Sequence, residues 1–210
     1  MNEKKAILFT ALTLIVLIVA GCGGETGVDQ SSGAIGPQEI PGATEVLRFD
    51  PAELPPGGDT PFPGACVESA SVPGSYRCEM ETDFVADPCF ALSGTRLICN
   101  PNPAAGTYGL LVSPQNALPP APPPSPDRAV AFFVELEGGL TCAIRTAPEP
   151  VILDGVAATY DCNTPYTYLV GDDPFDRNAP TWTAVPFTLD PATGQAAAGV
   201  TASLLRAWIP

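Results

Sequence analysis

Proline is the residue that most limits how this chain can fold. The 210 residues include 26 Pro and 20 Gly. Because a Pro inside a helix costs about 3 kcal/mol, a chain so rich in Pro is not expected to form long helices. Apolar residues make up 45% of the sequence, which is enough for a folded core. We therefore expect a mostly β fold that is rich in loops.

The start of the chain has the layout of an export signal. The basic pair Lys4-Lys5 precedes the apolar run 6–20, which is shorter than the stretch of about 20 residues that spans a membrane. The run ends in Val19-Ala20-Gly21-Cys22, which resembles the lipobox of bacterial lipoproteins. The resemblance implies that residues 1–21 are a signal peptide and that Cys22 is lipidated at the mature N-terminus. The protein would then be exported and held at a bacterial membrane by acyl chains such as palmitate, on the periplasmic or cell-surface side.

The number of cysteines supports this interpretation. An ordinary signal peptide, with Cys22 as a disulfide partner, would leave one of the seven Cys unpaired. Without Cys22 an even set remains: Cys66, Cys78, Cys89, Cys99, Cys142 and Cys162. In an exported chain six Cys predict three disulfides. Fifteen connectivities are open. Nearest-neighbour pairing is favoured because each pair, Cys66–Cys78, Cys89–Cys99 and Cys142–Cys162, closes a short loop.

Composition and charge argue against several classes of function. The chain has no His, so Ser/His and Cys/His nucleophile pairs and His-based metal sites are ruled out. Without residues 1–21 it carries 22 acidic and 7 basic side chains, all Arg, a net charge of −15. Nucleic acid is therefore excluded as a partner, since its phosphates are bound by clusters of Lys and Arg. The same charge repels anionic headgroups, so attachment to the membrane would depend on the acyl chains.

The sequence divides into five segments. They are the signal peptide 1–21, a flexible tether 22–44, a disulfide-rich unit 45–113, a Pro-rich connector 114–127 and an antiparallel β unit 128–210. The connector contains the run 118–126, LPPAPPPSP, which favours extended polyproline II. It is interpreted as a semi-rigid spacer, and the alternative is a docking site for a Pro-binding domain such as an SH3 fold.

Alternating apolar residues predict strands in the C-terminal half. The alternation is plain at Val130, Phe132, Val134 and Leu136, and Asp154-Gly155 is a two-residue hairpin signal. That hairpin places Leu153 opposite Val156 and Val151 opposite Ala158. Two segments, Asp87-Pro88-Cys89 and Asn163-Thr164-Pro165, are predicted to be turns. Trp182 and Trp208 could form a carbohydrate platform, but packing in the core is favoured.

Two carboxylate groupings are candidate sites. Asp172, Asp173 and Asp176 could hold Ca²⁺, although Pro174 and Arg177 make a polar turn with its own counter-charge more consistent with the pattern. No metal site and no cofactor are therefore expected. Glu135 and Glu137 lie two apart on a predicted strand, a separation of about 6.6 Å that is near the spacing of an inverting glycosidase pair.

The turn after this strand decides whether the two glutamates could act together. A three-residue loop, Glu137-Gly138-Gly139, aligns Leu136 with Leu140, and every apolar residue then shares one face. A type I turn that ends in a left-handed residue requires positive φ at Gly139. In this register Glu137 belongs to the turn and Glu135 to the solvent face, so they are not a site.

A second resemblance concerns the C-terminal part. Cys142, the motif Tyr160-Asp161-Cys162 and Trp182 are similar to the disulfide-bonded β domain of the membrane-bound periplasmic C-type lysozyme inhibitors, which are also lipoproteins. That family inserts a Lys near the catalytic carboxylates of lysozyme. The mature chain has no Lys, so Arg145 would have to take that role.

The sequence thus predicts an envelope protein that is lipid-anchored and not an enzyme. Its β domain would bind or support an unknown envelope protein or glycan. One alternative is a lysozyme-inhibitor-like protein. The other is a carboxylate-dependent glycoside hydrolase. The mature chain has neither His nor Lys, and the sequence has no Gly-rich phosphate loop, so carboxylates are the groups left for catalysis.

Overall fold

The computed structural model describes residues 42–54, 60–81, 83–120, 130–147 and 149–210. Most of the tether and half of the Pro-rich connector, like Cys22 and the signal segment, lie outside these residues. Across the described ranges the chain forms fifteen short strands and no α-helix, which confirms the mostly β fold. None of these residues belongs to a helix long and apolar enough to span a membrane.

The strands are numbered in chain order. They are β1 (Glu45–Arg48), β2 (Phe62–Glu68), β3 (Tyr76–Met80), β4 (Val85–Ser93), β5 (Arg96–Cys99), β6 (Leu110–Pro114), β7 (Phe133–Leu136), β8 (Thr141–Ile144), β9 (Ile152–Leu153), β10 (Val156–Cys162), β11 (Thr167–Val170), β12 (Thr183–Ala184), β13 (Phe187–Leu189), β14 (Ala196–Ala198) and β15 (Ala202–Ile209).

Strands β2 to β6 form a closed barrel in which each strand pairs with the next in antiparallel fashion. A parallel pairing of β2 with β6 closes it. The disulfide Cys66–Cys78 joins β2 to β3, and Cys89–Cys99 joins β4 to β5. All four of these sulfur-bearing side chains are fully buried. The disulfides therefore occupy the barrel core, where they pack with Tyr76, Met80 and Leu97.

The remaining strands form a ten-stranded sheet. Its main path runs β1-β15-β7-β8-β10-β11-β13-β14, with β12 beside β15 and β9 beside β10. Every neighbouring pair is antiparallel except β1 with β15. The third disulfide, Cys142–Cys162, links β8 to β10, so all three disulfides are the predicted pairs.

The position of β1 differs from the predicted segment boundaries. β1 lies in the segment 45–113, yet it pairs in parallel with β15 at the end of the chain, Glu45 opposite Arg206. It therefore belongs to the sheet of the C-terminal half and not to the disulfide-rich barrel. The described residues between 42 and 210 belong to one compact unit. A local sequence pattern does not say which distant strand a segment pairs with.

An aromatic cluster packs the barrel against the large sheet. The ring of Phe49 lies 4.8 Å from that of Phe90 in the barrel and 5.3 Å from that of Phe132 beside β7. Phe90 and Phe132 are themselves 4.8 Å apart. On β7 and β15, Phe133 and Trp208 make an edge-to-face contact at 5.6 Å. Each edge-to-face aromatic pair stabilises the fold by about 0.5–1.5 kcal/mol beyond the effect of burying the rings. Because these rings come from both the barrel and the large sheet, the two sheets share this aromatic core.

One of the two predicted turns is wrong. Asp87-Pro88-Cys89 lies within β4, and the Asp87–Pro88 peptide bond is cis. Asp-Pro is typical of turns, but here the chain stays extended and pairs with β5 beyond it. The segment Asn163-Thr164-Pro165 does form the turn between β10 and β11.

The Asp154-Gly155 hairpin is confirmed. Both residues have positive φ, 51° and 83°, as a type I′ turn requires. Leu153 pairs with Val156, and the amide of Ala158 donates to the carbonyl of Val151, as predicted.

Candidate functional site

A cleft of about 620 Å³ lies where the barrel faces the large sheet. Its barrel side is formed by the start of β4 and the loop after β5, and its other side by β7, β8 and β10. The aromatic part of the lining is Phe84, Phe132 and Phe133. The polar groups of the lining are Asp83, Asp87, Asn100, Asn102, Thr146 and Asp161. Clefts of about 300–1,000 Å³ with apolar walls and a few polar groups are typical of small-molecule sites.

Asp87 is the most buried polar group of the cleft. The residue is 2% exposed, because Val85, Ala86 and Phe90 on the same strand carry it into the packed region between the sheets. Its Oδ1 accepts a hydrogen bond of 2.6 Å from the hydroxyl of Ser69. Desolvation by burial raises the pKa of the Asp87 carboxyl, against smaller lowering effects of this hydrogen bond and of the Arg77 charge.

Asp161 lies on the other side of the cleft, on β10. Its Oδ1 is 2.5 Å from Nη1 of Arg145, whose Nη2 donates to the carbonyl of Glu149 at 2.8 Å. The Arg145 side chain is only 15% exposed, and its buried Nε has no hydrogen-bond partner among the described residues. The Arg145 guanidinium is thus held in place by these bonds and is largely shielded from solvent.

The two glutamates do not form a site. Glu135 on β7 lies 2.9 Å from Nη2 of Arg206 on β15, and neither residue lines the cleft. Glu137 is exposed in the turn after β7. Glu135 is half-buried rather than on an open solvent face, since its side chain is 18% exposed.

The register behind this result is the predicted one. Val134 pairs with Cys142, and the Leu136 amide donates to the Leu140 carbonyl at 2.8 Å, which gives a three-residue loop. Gly139 has a φ of 79°, as predicted. Gly138 also has a φ of 79°, so the loop does not begin with the expected type I turn.

The aspartate triplet is engaged within its own loop. Asp173 lies 3.2 Å from Nη2 of Arg177, and Asp176 accepts hydrogen bonds from the backbone and side-chain amides of Asn178. Asp172 is exposed. Among the residues that the structure describes, only Cys78, Cys89 and Cys99 place three potential metal ligands together. These sulfurs belong to disulfides and offer no thiolate.

The two tryptophans do not make an open platform. Trp208 is 6% exposed within the shared core. Trp182 precedes β12, and the guanidinium carbon of Arg177 lies 4.4 Å from its ring centroid. Packing in the core and under an arginine is the structural role of these rings.

The sequence did not indicate the cleft. Asp87 was interpreted as part of a turn and Asp161 only as part of a strand motif. A charged residue in the middle of the apolar strand VADPCFALS was the signal available. The lining also comes from five separated stretches of chain, and no local pattern shows that they meet.

The lipidation candidate Cys22 lies outside the described residues. Comparison with protein-family models, curated proteins and solved structures found no match to this chain.

Proposed function

We propose that this chain is an exported, lipid-anchored protein of a bacterial envelope, and that its β domain binds a small ligand in the cleft between barrel and sheet without catalysing a reaction. The anchor follows from the lipobox resemblance at Cys22. The observation that supports binding is the cleft itself, because a space of about 620 Å³ bounded by packed strands is already formed.

The walls of this cleft are suited to holding a ligand. Its aromatic residues Phe132 and Phe133 are buried in the core, so the cleft floor is rigid. Phe84, at the start of β4, is half-exposed and can contact a ligand at the cleft mouth. Polar groups at fixed positions, such as Asn100 and Thr146, would set the orientation of the ligand.

A cleft-filling variant tests this proposal. Ala143→Phe on β8 places a ring in the cleft, and Ala147→Trp does so from an exposed position with less risk to folding. Ala157→Phe on β10 is the matched control, because Ala157 is exposed and does not line the cleft. Each purified protein is incubated with small molecules extracted from bacterial envelopes and is then washed. The compounds that it retains are identified by mass spectrometry.

The expected result is that the wild type and Ala157→Phe retain the same compound or compounds and that both cleft-filling variants lose them. The binding proposal is overturned if the wild type retains nothing, or if the two cleft-filling variants retain what the wild type retains.

A carboxylate hydrolase is the second candidate. Its acidic groups would be carboxylates of the cleft and not Glu135 and Glu137, which do not line it. Asp87, with its raised pKa, has the character of a general acid, and Asp161 lines the same cleft. Turnover of chromogenic aryl glycosides that is lost in both Asp87→Asn and Asp161→Asn would support this function. We expect no turnover by the wild type. The lysozyme-inhibitor alternative has less support, because the bonded and largely buried Arg145 does not project from the surface.

A further inference from the structure

The ionisable side chains that line the cleft are all acidic in the described part of the chain, although Arg145, which pairs with Asp161, offsets one of these charges. Three of its polar groups are carboxylates, namely Asp83, Asp87 and Asp161, and neither Arg nor Lys is among its lining residues in the described part of the chain. The whole chain has a net charge of −14, so its surroundings reinforce this sign. A ligand with a positive charge would be attracted to the cleft, and an anionic one would be repelled.

Asp87 supplies a specific acceptor within this cleft. The residue is 2% exposed, and its single hydrogen bond among the described residues is the one from Ser69 to Oδ1. Oδ2 accepts no hydrogen bond from a described residue, and it is not among the described buried atoms that lack a partner, so it keeps some contact with solvent. A cation in the cleft could therefore reach Oδ2 and offset the desolvation of the carboxylate.

The protein's own cations do not fill this role. Arg145 is bonded to Asp161 and to the carbonyl of Glu149. Arg77, whose charge acts on Asp87, lies 3.6 Å from Glu79 and is 38% exposed, so it does not hydrogen-bond to the buried carboxyl. No cation of the described residues therefore pairs with Asp87, and a bound ligand could supply the positive charge.

The apolar walls define the remainder of the ligand. Phe84, Phe132 and Phe133 present aromatic rings to the cleft, with Ile144 and Pro88 beside them. Such walls favour an aliphatic or aromatic body, and aromatic faces also attract ammonium groups.

We infer that the ligand of this cleft is a small organic cation, an amine or guanidine carried on an apolar body, whose positive group binds the free oxygen of Asp87 while its body packs against Phe84, Phe132 and Phe133. This inference rests on the proposed function, since it names the class of ligand that the cleft would bind.

Three probes with the same body but different charges test it. They are 4-phenylbutylamine, 4-phenyl-1-butanol and 4-phenylbutyrate, titrated calorimetrically into the wild-type protein near neutral pH. We expect the amine to bind about tenfold or more tightly than the alcohol, and the carboxylate to bind least. Equal binding of the amine and the alcohol, or tighter binding of the carboxylate, would overturn the inference.

Two substitutions locate the effect. Asp87→Asn keeps an acceptor for Ser69 but removes the charge, so amine affinity should fall about tenfold while alcohol affinity stays the same. Retained alcohol binding also shows that this variant is folded. Asp154→Asn is the matched control, because Asp154 is exposed in the β9–β10 turn, has a φ of 51° that Asn tolerates, and does not line the cleft. Unchanged amine affinity in Asp87→Asn would contradict the inference.

The cleft-filling variants separate this inference from the proposed function. If all three probes bind equally and Ala147→Trp abolishes their binding, the ligand class is wrong but the cleft remains a binding site. If Ala147→Trp and Ala143→Phe leave probe binding unchanged, the probes do not occupy the cleft and both proposals fail. If no probe binds to the wild type, the inference about the ligand class fails, and the envelope-extract experiment decides whether the cleft is a binding site.

Discussion

At the scale of single residues, Asp87 shows how a fold can keep a charged side chain in a packed region. Its carboxyl lies in an otherwise apolar strand and accepts one hydrogen bond, from Ser69. Burial raises its pKa, so the fold favours the protonated form. The preference of the folded protein for protonated Asp87 stabilises the fold. This stabilisation is fully present below the unfolded pKa of about 3.9, and it is lost as the pH rises through the higher pKa of the folded state.

Asp87→Asn should therefore gain stability relative to the wild type as the pH rises from about 4 to 7. The variant keeps an oxygen for Ser69 and has no charge to desolvate. Urea unfolding at several pH values measures the difference. The exposed Asp154→Asn serves as a control with no such trend. A difference between Asp87→Asn and the wild type that is constant or shrinks with pH would show that Asp87 is not the buried acid described here.

At the scale of elements, the turn between β7 and β8 depends on two consecutive glycines in the left-handed region. Gly138 and Gly139 both have a φ of 79°, with open space around each added Cβ. The cost of substitution is therefore conformational and not steric contact with a neighbour. Gly138→Ala should destabilise the protein by about 1 kcal/mol, because Ala is strained at this φ.

Gly94 offers a control for this substitution. It lies between β4 and β5, also has open space around its Cβ position, and has a φ outside the left-handed region. Gly94→Ala should change the free energy of unfolding by less than about 0.5 kcal/mol. Equal effects of Gly94→Ala and Gly138→Ala in urea unfolding would contradict the turn geometry.

The disulfide between β8 and β10 holds two neighbouring strands whose cysteines are 20 residues apart. Replacing both Cys142 and Cys162 with Ala should lower the free energy of unfolding by about 3 kcal/mol, since the unfolded chain regains the entropy of that loop. The measurement is urea unfolding under non-reducing conditions. A loss below about 1 kcal/mol would mean that the cross-link adds little to strand pairing that is already stable.

How well each element could be predicted depends on how local its causes are. β3 has a local cause, because apolar residues alternate along it and its alternate side chains are buried. β2 was missed because Pro63 and Gly64 are typical of loops, although small residues suit its inward face beside the disulfides. β4 was interrupted by Asp-Pro, which forms a turn elsewhere but stays extended here.

Contacts between residues far apart in the chain could not be predicted from local sequence patterns. The parallel pairing of β1 with β15 joins residues about 160 positions apart, and nothing within either strand specifies the other. The cleft could not be predicted for the same reason, because Phe84 and Ile144 line it together only once both sheets are packed. The disulfide pairs could be predicted, since each closes a short loop.

At the scale of the whole molecule, the account combines an anchor with a binding domain. Cys22→Ser removes the thiol that would be acylated. We expect it to leave an uncleaved precursor or to move the protein out of the membrane fraction. Mass spectrometry of the N-terminal peptide from that fraction measures both. A mature wild-type N-terminus beyond Cys22 without lipid would contradict the anchor.

The central claim is that the cleft between barrel and sheet is the binding site. Two-dimensional amide NMR of the domain, titrated with 4-phenylbutylamine, tests it most directly. The account predicts that the largest shift changes fall on cleft residues such as Phe84, Phe133 and Ile144 and are absent in Ala147→Trp. Shift changes centred on Trp182 and Arg177 instead, or no change at all, would contradict it.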